Sequence, residues 1–321
     1  MTIAGGYIKP EVTKGLLGVH SLDTFVMSVP DLKEASDFYN AFGLNVLERS
    51  NCLAFQTDGI DHDWMMLTES QKKSVHHLSF GCYPEDIDPL KRRIEREKIR
   101  LLDPPSGFES NGLWFRDPDH QLIEIRVAPK TSLSEKAHGE YVSSVPGERG
   151  APYRKIAGAV RPRRMAHLLM FTHSVQKSID FYARILGLRL SDRTGDIIAF
   201  MHGVHGSDHH MIAFVHSEGP GIHHISWDVP GIQEVGLGAM QMADKGYQKG
   251  WGVGRHVLGS NYFHYVRDPW GSYSEYSADM DFVPAGMNWD GKDYEPEDGF
   301  YLWGPTPPED FGTNYEISET P

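Results

Sequence analysis

Two amphipathic stretches in each half of the chain alternate with short apolar runs. Leu32, Ala35, Phe38/Tyr39 and Phe42 recur at three and four behind Asp31, and Gly43 falls where a helix C-cap belongs. Val175, Ile179, Tyr182 and Ile185/Leu186 repeat that spacing behind Ser174, a capping residue, and stop at Gly187. The pattern predicts second helices over Ile87 to Ile99 and Ile232 to Lys245. Strands are predicted where β-branched and aromatic residues crowd, at Ile197 to Met201, Met211 to Val215, Ile225 to Val229 and Tyr262 to Val266.

The order of these elements repeats. Thr24-Phe25-Val26-Met27-Ser28-Val29, then Asp37-Phe38-Tyr39, is answered by His167-Leu168-Leu169-Met170-Phe171-Thr172, then Asp180-Phe181-Tyr182. Val75-His76-His77-Leu78 is answered by Ile222-His223-His224-Ile225, and Arg116-Asp117-Pro118 with Glu124 by Arg267-Asp268-Pro269 with Glu275. The offsets are 143 (24 to 167), 147 (77 to 224) and 151 (124 to 275), growing by four as small loop insertions would make them. The expected domains are therefore 1–135, a linker over 136–164, a second copy over 165–280, and a tail over 281–321. The tail is rich in Pro, Gly and acid but carries Trp289, Tyr294, Phe300, Tyr301, Trp303 and Phe311. So many aromatics predict an ordered segment pressed on the body, at a subunit contact or over a pocket.

Composition narrows the class. A length of 321 residues suits two domains, and 23% charged residues is ordinary for a folded chain. The formal charge of -13 argues against nucleic acid as a partner, since phosphate binding needs a basic face. No apolar run approaches a membrane span, and Met1 to Pro10 lack a basic and apolar leader pattern. With only Cys52 and Cys82, no disulfide framework is expected, and the expected compartment is the cytoplasm. The 17 histidines change the picture more.

His167, His224 and Glu275 lie on predicted strands at equivalent places in the repeat. Two imidazoles and one carboxylate can hold one face of a divalent ion and leave the opposite face open, as in non-haem Fe(II) oxygenases. Separations of 57 and 51 residues suit ligands gathered from different strands of a curved sheet. The first copy offers Thr24, His77 and Glu124 instead, and a threonine hydroxyl is a poor substitute for imidazole. That copy is expected to be metal-free. His76 and His223 should point to the other strand face by the two-residue period, and His202, His205 and His216 read as loop or strand-edge residues.

The second copy resembles the type I extradiol ring-cleaving dioxygenases (catechol 2,3-dioxygenase-like) of the vicinal oxygen chelate superfamily. The stretch that carries this is Gly254-Arg255-His256 through Tyr265-Val266-Arg267-Asp268-Pro269-Trp270-Gly271 to Glu275, with His264 where the family usually has an aliphatic residue or phenylalanine. The resemblance spans both copies and implies an α+β fold, two tandem domains of paired βαβββ modules forming incomplete barrels, with the metal in the second alone. It implies a homo-oligomer, tetramer or larger, that takes a catechol-type substrate and O2 in aromatic hydrocarbon catabolism. Meta cleavage at Fe(II) would give a hydroxymuconic semialdehyde type product, and the same ligands accept Mn(II). The resemblance assigns His210 as the acid/base group, with Tyr265 and His256 lining the substrate region. His209 is read as a neighbour pointing away. Trp251 stands where family members acting on carboxylated catechols have arginine, which favours a neutral or hydrophobic ring, with Arg255, Arg161, Arg163 and Arg164 as other possible anion contacts.

Two other classes compete. A metal-dependent isomerase or lyase of glyoxalase type shares the fold but usually takes a fourth protein ligand, which Thr24 leaves missing. A non-catalytic drug-binding member would lack the metal triad.

Overall fold

The computed structural model describes residues 15–140 and 143–317. Its first unit runs β1 (Ser21–Val29), α1 (Leu32–Phe42), β2 (Asn45–Glu48), β3 (Leu53–Gln56), β4 (Met65–Glu69), β5 (Ser74–Cys82), α2 (Ile87–Arg96), β6 (Leu113–Arg116) and β7 (Leu122–Val127). The second opens with β8 (Arg164–Thr172), α3 (Val175–Leu186), β9 (Arg189–Thr194), β10 (Ile198–His202), β11 (Ser207–Asp208) and β12 (Ile212–His216). It continues with β13 (Gly221–Asp228), α4 (Ile232–Asp244), β14 (Gly250–His256), β15 (Tyr262–Arg267) and β16 (Tyr273–Ala278). The tail adds β17 (Phe282–Val283), α5 (Pro296–Gly299) and β18 (Tyr301–Trp303).

Two curled mixed sheets result. The first has the order β2-β3-β4-β1-β5-β7-β6, and the second β18-β14-β15-β16-β13-β8-β12-β10-β9. Corresponding strands occupy corresponding places, so the repeat seen in the sequence is a repeat in space. The α+β architecture of two half-barrel units follows.

Local chemistry sets the helix ends. The side chains of Asp31 and Ser174 accept from the backbone N–H groups of Glu34 and Lys177, caps worth about 1 kcal/mol each. Gly43 and Gly187 close both helices with φ of 103° and 79°. A side chain at either glycine would also strike a passing backbone, Val160 O at 2.2 Å and Leu17 O at 2.4 Å. These glycines thus serve both the left-handed turn and the close approach of connecting chain.

The units pack through their helices and sheets. Phe42 of α1 stacks on Tyr276 of β16 with centroids 3.9 Å apart, and Tyr276 donates its hydroxyl proton to Phe42 O at 2.8 Å. Gln241 of α4 donates to Ala41 O at 2.8 Å. A buried ion pair, Arg164 Nη2 to Asp208 Oδ2 at 2.7 Å, lies at the start of β8. No helix among the described residues is long and apolar enough to cross a membrane.

β14 and β18 were not expected from the sequence. β14 carries three glycines, which weaken any strand propensity, and β18 is only three residues long. Both form because β15 and then β14 offer edges to pair with.

His264 of β15 has a buried Nδ1 with no hydrogen-bond partner, and burial holds its imidazole down at about 4. Below its ordinary value near 6.5 the unfolded chain binds this proton before the native one does. The stability of the neutral form is therefore complete above pH 6.5 and lost as pH falls toward 4. His264→Phe is expected to gain about 1–2 kcal/mol relative to wild type on going from pH 8 to pH 5, measured by urea unfolding at both pH values. An unchanged difference between the two pH values would contradict this.

Candidate metal centre

Strands that are neighbours in the larger sheet deliver the three candidate ligands. β16, β13 and β8 lie side by side, and Ser226 of β13 pairs with Glu275 on one side and His167 on the other. His224 is two residues from Ser226, so the pleat presents it on the same face. His167 Nε2 lies 3.1 Å from His224 Nε2 and 3.3 Å from Glu275 Oε2, and His224 Nε2 lies 3.6 Å from that oxygen. Donors on one face of an octahedral ion, each about 2.1 Å from it, stand about 3 Å apart. Among the described residues this is the one cluster of at least three such side chains close enough to share an ion.

The protonation states suit that use. Burial, then the neighbouring histidines, holds His224 well below its usual value, so its imidazole is neutral. Burial pushes the Glu275 carboxyl up, but His167 beside it at 3.3 Å more than offsets this and keeps it below its ordinary value. Asn261 Nδ2 donates to Glu275 Oε1 at 3.1 Å, while Oε2 is buried without a hydrogen-bond partner. A fully buried carboxylate oxygen without a hydrogen bond of its own, close to the Nε2 atoms of two imidazoles, fits a cation as its missing partner.

A bulge fixes one ligand's tautomer. Ile222 pairs with Met170 and His224 with Leu169, so His223 is an extra residue in β13. Strict alternation would send His223 to the opposite face; the bulge instead places it on the cavity wall against its neighbour. His223 donates from Nε2 to Phe311 O at 2.8 Å, and burial holds it at about 4, hence neutral. Its Nδ1 must then accept from His224 Nδ1, 2.8 Å away. That leaves the His224 Nε2 lone pair for a metal.

His210, Tyr265 and His256 stand around the same point. The His210 ring lies 4.1 Å from that of His167, centroid to centroid. Burial, then the charge of His167, holds its imidazole well below the usual value. Tyr265 is paired across the ladder with Glu275 and meets the His224 ring edge-on at 5.1 Å. His256 donates from Nδ1 to Phe300 O at 2.9 Å, so its Nε2 accepts the Tyr265 hydroxyl proton, also at 2.9 Å. His209 turns away from the cavity, toward Asp192. His202 binds Ser191 and His216 ends β12 in solvent, whereas His205 is buried between the units against Tyr83.

The equivalent residues of the first unit are tied up by protein. Thr24 donates to Asp63 O at 3.0 Å, and His77 contacts His76 at 2.7 Å across a matching bulge. Glu124 is held by the hydroxyls of Ser79 and Ser110, one on each oxygen.

Above the triad opens a cavity of about 390 Å³. Leu169, Ile198, Phe200, Ala213 and Val215 form its floor and wall, and Pro296, Phe300, Pro307, Pro308 and Phe311 of the tail form its roof. Among the described residues, Glu275 is the one acidic residue lining it, and no lysine or arginine does. Trp251 stands behind the cavity: its ring lies parallel to Tyr265 (9°, 5.6 Å) and it donates to Pro305 O at 2.7 Å. Arg161, Arg163, Arg164 and Arg255 are likewise elsewhere, bound to Asn45, Asp228, Asp208 and Ser260 O.

The profile of the glyoxalase/bleomycin resistance protein/dioxygenase superfamily matches residues 21–125 and 164–276. The chain belongs to this superfamily. It is 46% identical over 299 residues to metapyrocatechase 2 of Cupriavidus necator, covering 93% of each chain. The structure of an extradiol ring-cleaving dioxygenase from B. fuscum aligns with a TM-score of 0.74 at 19% identity, over 96% of this chain and 85% of that one. A Mn(II)-bound glyoxalase from Novosphingobium aromaticivorans aligns with a TM-score of 0.72 at 22% identity, over 91% and 93%. Superfamily fold alone therefore does not separate the two chemistries, and the 46% relative carries the distinction. Two residues that line the cavity, Asn261 and His223, and Asp192 behind it were not legible in the sequence. The first and last carry no pattern, and the second depends on a bulge.

Proposed function

We propose that the protein opens catechol-type rings next to the diol by extradiol cleavage with O2, at a divalent metal held by His167, His224 and Glu275. The observation that carries this is that the triad opens onto an apolar cavity lined also by His210 and the Tyr265–His256 pair. His167, His224 and Glu275 would hold Fe(II), or Mn(II), and the ion would supply Lewis acidity and electron transfer between catechol and O2. The protein's own groups do the rest. His210, neutral and with Nδ1 engaged by His209, uses Nε2 to take a proton from a substrate hydroxyl and to return it during ring opening. Tyr265 gives its proton to His256, so its oxygen lone pairs are free to accept from the second hydroxyl and orient the ring. The roof from the tail excludes water and selects an uncharged ring with apolar substituents. The product is a hydroxymuconic semialdehyde type compound.

The reading extends to a cytoplasmic homo-oligomer of four or more subunits, to be measured by light scattering. Oxygen uptake by Fe(II)-loaded protein with a panel of catechols tests the chemistry. One O2 consumed per ring opened is expected, whereas an isomerase or lyase of glyoxalase type consumes none. His210→Phe should keep its metal and lose about 100-fold or more in kcat. Loss of metal in that variant would make His210 a ligand instead.

A further inference from the structure

We propose that Asp192 and His209 form a buried relay that sets the tautomer of His210 and so aims a lone pair at the substrate. This rests on the reading of His210 as the proton carrier. Asp192 lies inside β9, paired with Phe200 of β10, and it is not among the residues that line the cavity. Its Oδ2 lies 2.7 Å from His209 Nε2, and His209 Nδ1 lies 3.0 Å from His210 Nδ1. All three side chains are buried, at 5%, 0% and 3% exposure, so water does not compete for these bonds.

Hydrogen-bond accounting gives the direction. The Asp192 carboxylate only accepts, so His209 Nε2 bears the proton of that contact. In the proposed relay His209 carries that one proton and accepts at Nδ1. His210 must donate to it from its own Nδ1, which leaves His210 Nε2 bare toward the cavity. When Nε2 takes a substrate proton, the Nδ1–H bond is kept, and the buried Asp192 charge balances the imidazolium through His209. Asp192 is a positioning residue here, since it acts through two other rings. The logic is that of a base oriented by a third group.

The tail locks the carboxylate in place. Lys292 N donates to Oδ1 at 2.8 Å and Trp289 Nε1 to Oδ2 at 3.3 Å. The Lys292 contact makes Asp192→Asn informative. The amide oxygen is held toward Lys292 N–H, which turns the NH2 toward His209 Nε2. His209 then accepts at Nε2 and donates from Nδ1, and His210 presents an N–H to the cavity where a lone pair is needed.

Two measurements test this on full-length protein loaded with diamagnetic Zn(II) and with Fe(II). In wild type, long-range 1H–15N correlation of histidine rings should show His210 protonated at Nδ1; in Asp192→Asn the proton should move to Nε2. With Fe(II), the variant should keep its metal content and its KM for catechol within about threefold and lose 10–100-fold in kcat, the usual effect of an outer hydrogen-bond partner, about 10–100-fold. Wild-type His210 protonated at Nε2 would overturn the relay, as would a variant whose kcat stays within twofold. A variant that loses its metal along with kcat would also overturn it, by making Asp192 a structural residue. The spectrum answers whether or not the protein opens catechols, so failure of the relay and failure of the functional reading are separate results.

Discussion

His224→Ala should purify with almost no bound metal and with catechol cleavage below detection. Removing this imidazole takes away one of three protein donors and leaves Glu275 buried with a single partner on its bare side. Outer-sphere changes already cost about 10–100-fold in metal affinity, and loss of a direct donor is expected to exceed that. Chelation also depends on His224 being neutral with its lone pair on Nε2, a state set by the His223–Phe311 chain. Metal analysis by inductively coupled plasma spectrometry, alongside O2 uptake, checks the outcome. A variant that retained a stoichiometric metal and wild-type turnover would move the centre elsewhere. The equivalent change in the first unit, His77→Ala, should leave metal content untouched, because its partners there are protein groups.

Truncation after Thr306 is the second large effect. It removes Pro307, Pro308 and Phe311, part of the cavity roof, together with the carbonyl that fixes the His223 tautomer. It also removes Asn314, which binds Gly219 O, and Glu316, which accepts from Ile222 N at 2.8 Å and Val75 N at 3.3 Å and so clips both sheets. Lys73 of the first unit, 3.7 Å from Glu316, loses its ion-pair partner. The truncated protein should bind metal about 10–100-fold more weakly. It should also lose about 3–5 kcal/mol of stability from the deleted aromatic packing and the unpaired buried lysine. Equilibrium metal titration and urea unfolding read these separately. Wild-type values in both would mean the tail merely lies on the surface.

The tail illustrates where pattern reading stops. Its aromatics predicted an ordered segment, and their density left open a subunit contact or a pocket roof. The choice was made by Trp251 binding Pro305 O and by two backbone carbonyls reaching His256 and His223. Main-chain atoms carry no sequence signal, so neither contact was legible in advance. Trp251, where family members acting on carboxylated catechols have arginine, suggests an apolar pocket for the ring. In space Tyr265 stands in front of it.

By itself, the sequence determined the duplicated strand–helix units, the caps that end their helices, and the three residues at matching repeat positions. Hydrophobic period and capping are local, and a repeat shows itself by comparison within one chain. Only the tertiary structure decided which nitrogen of each histidine is free, because that depends on partners far away in the chain: Phe311 for His223, Phe300 for His256, Asp192 for His209. It also decided the bulge at His223, since a bulge exists only relative to the strand opposite. The candidate ligands were therefore a matter of residue type and order, whereas the hydrogen-bond partners around them came from packing.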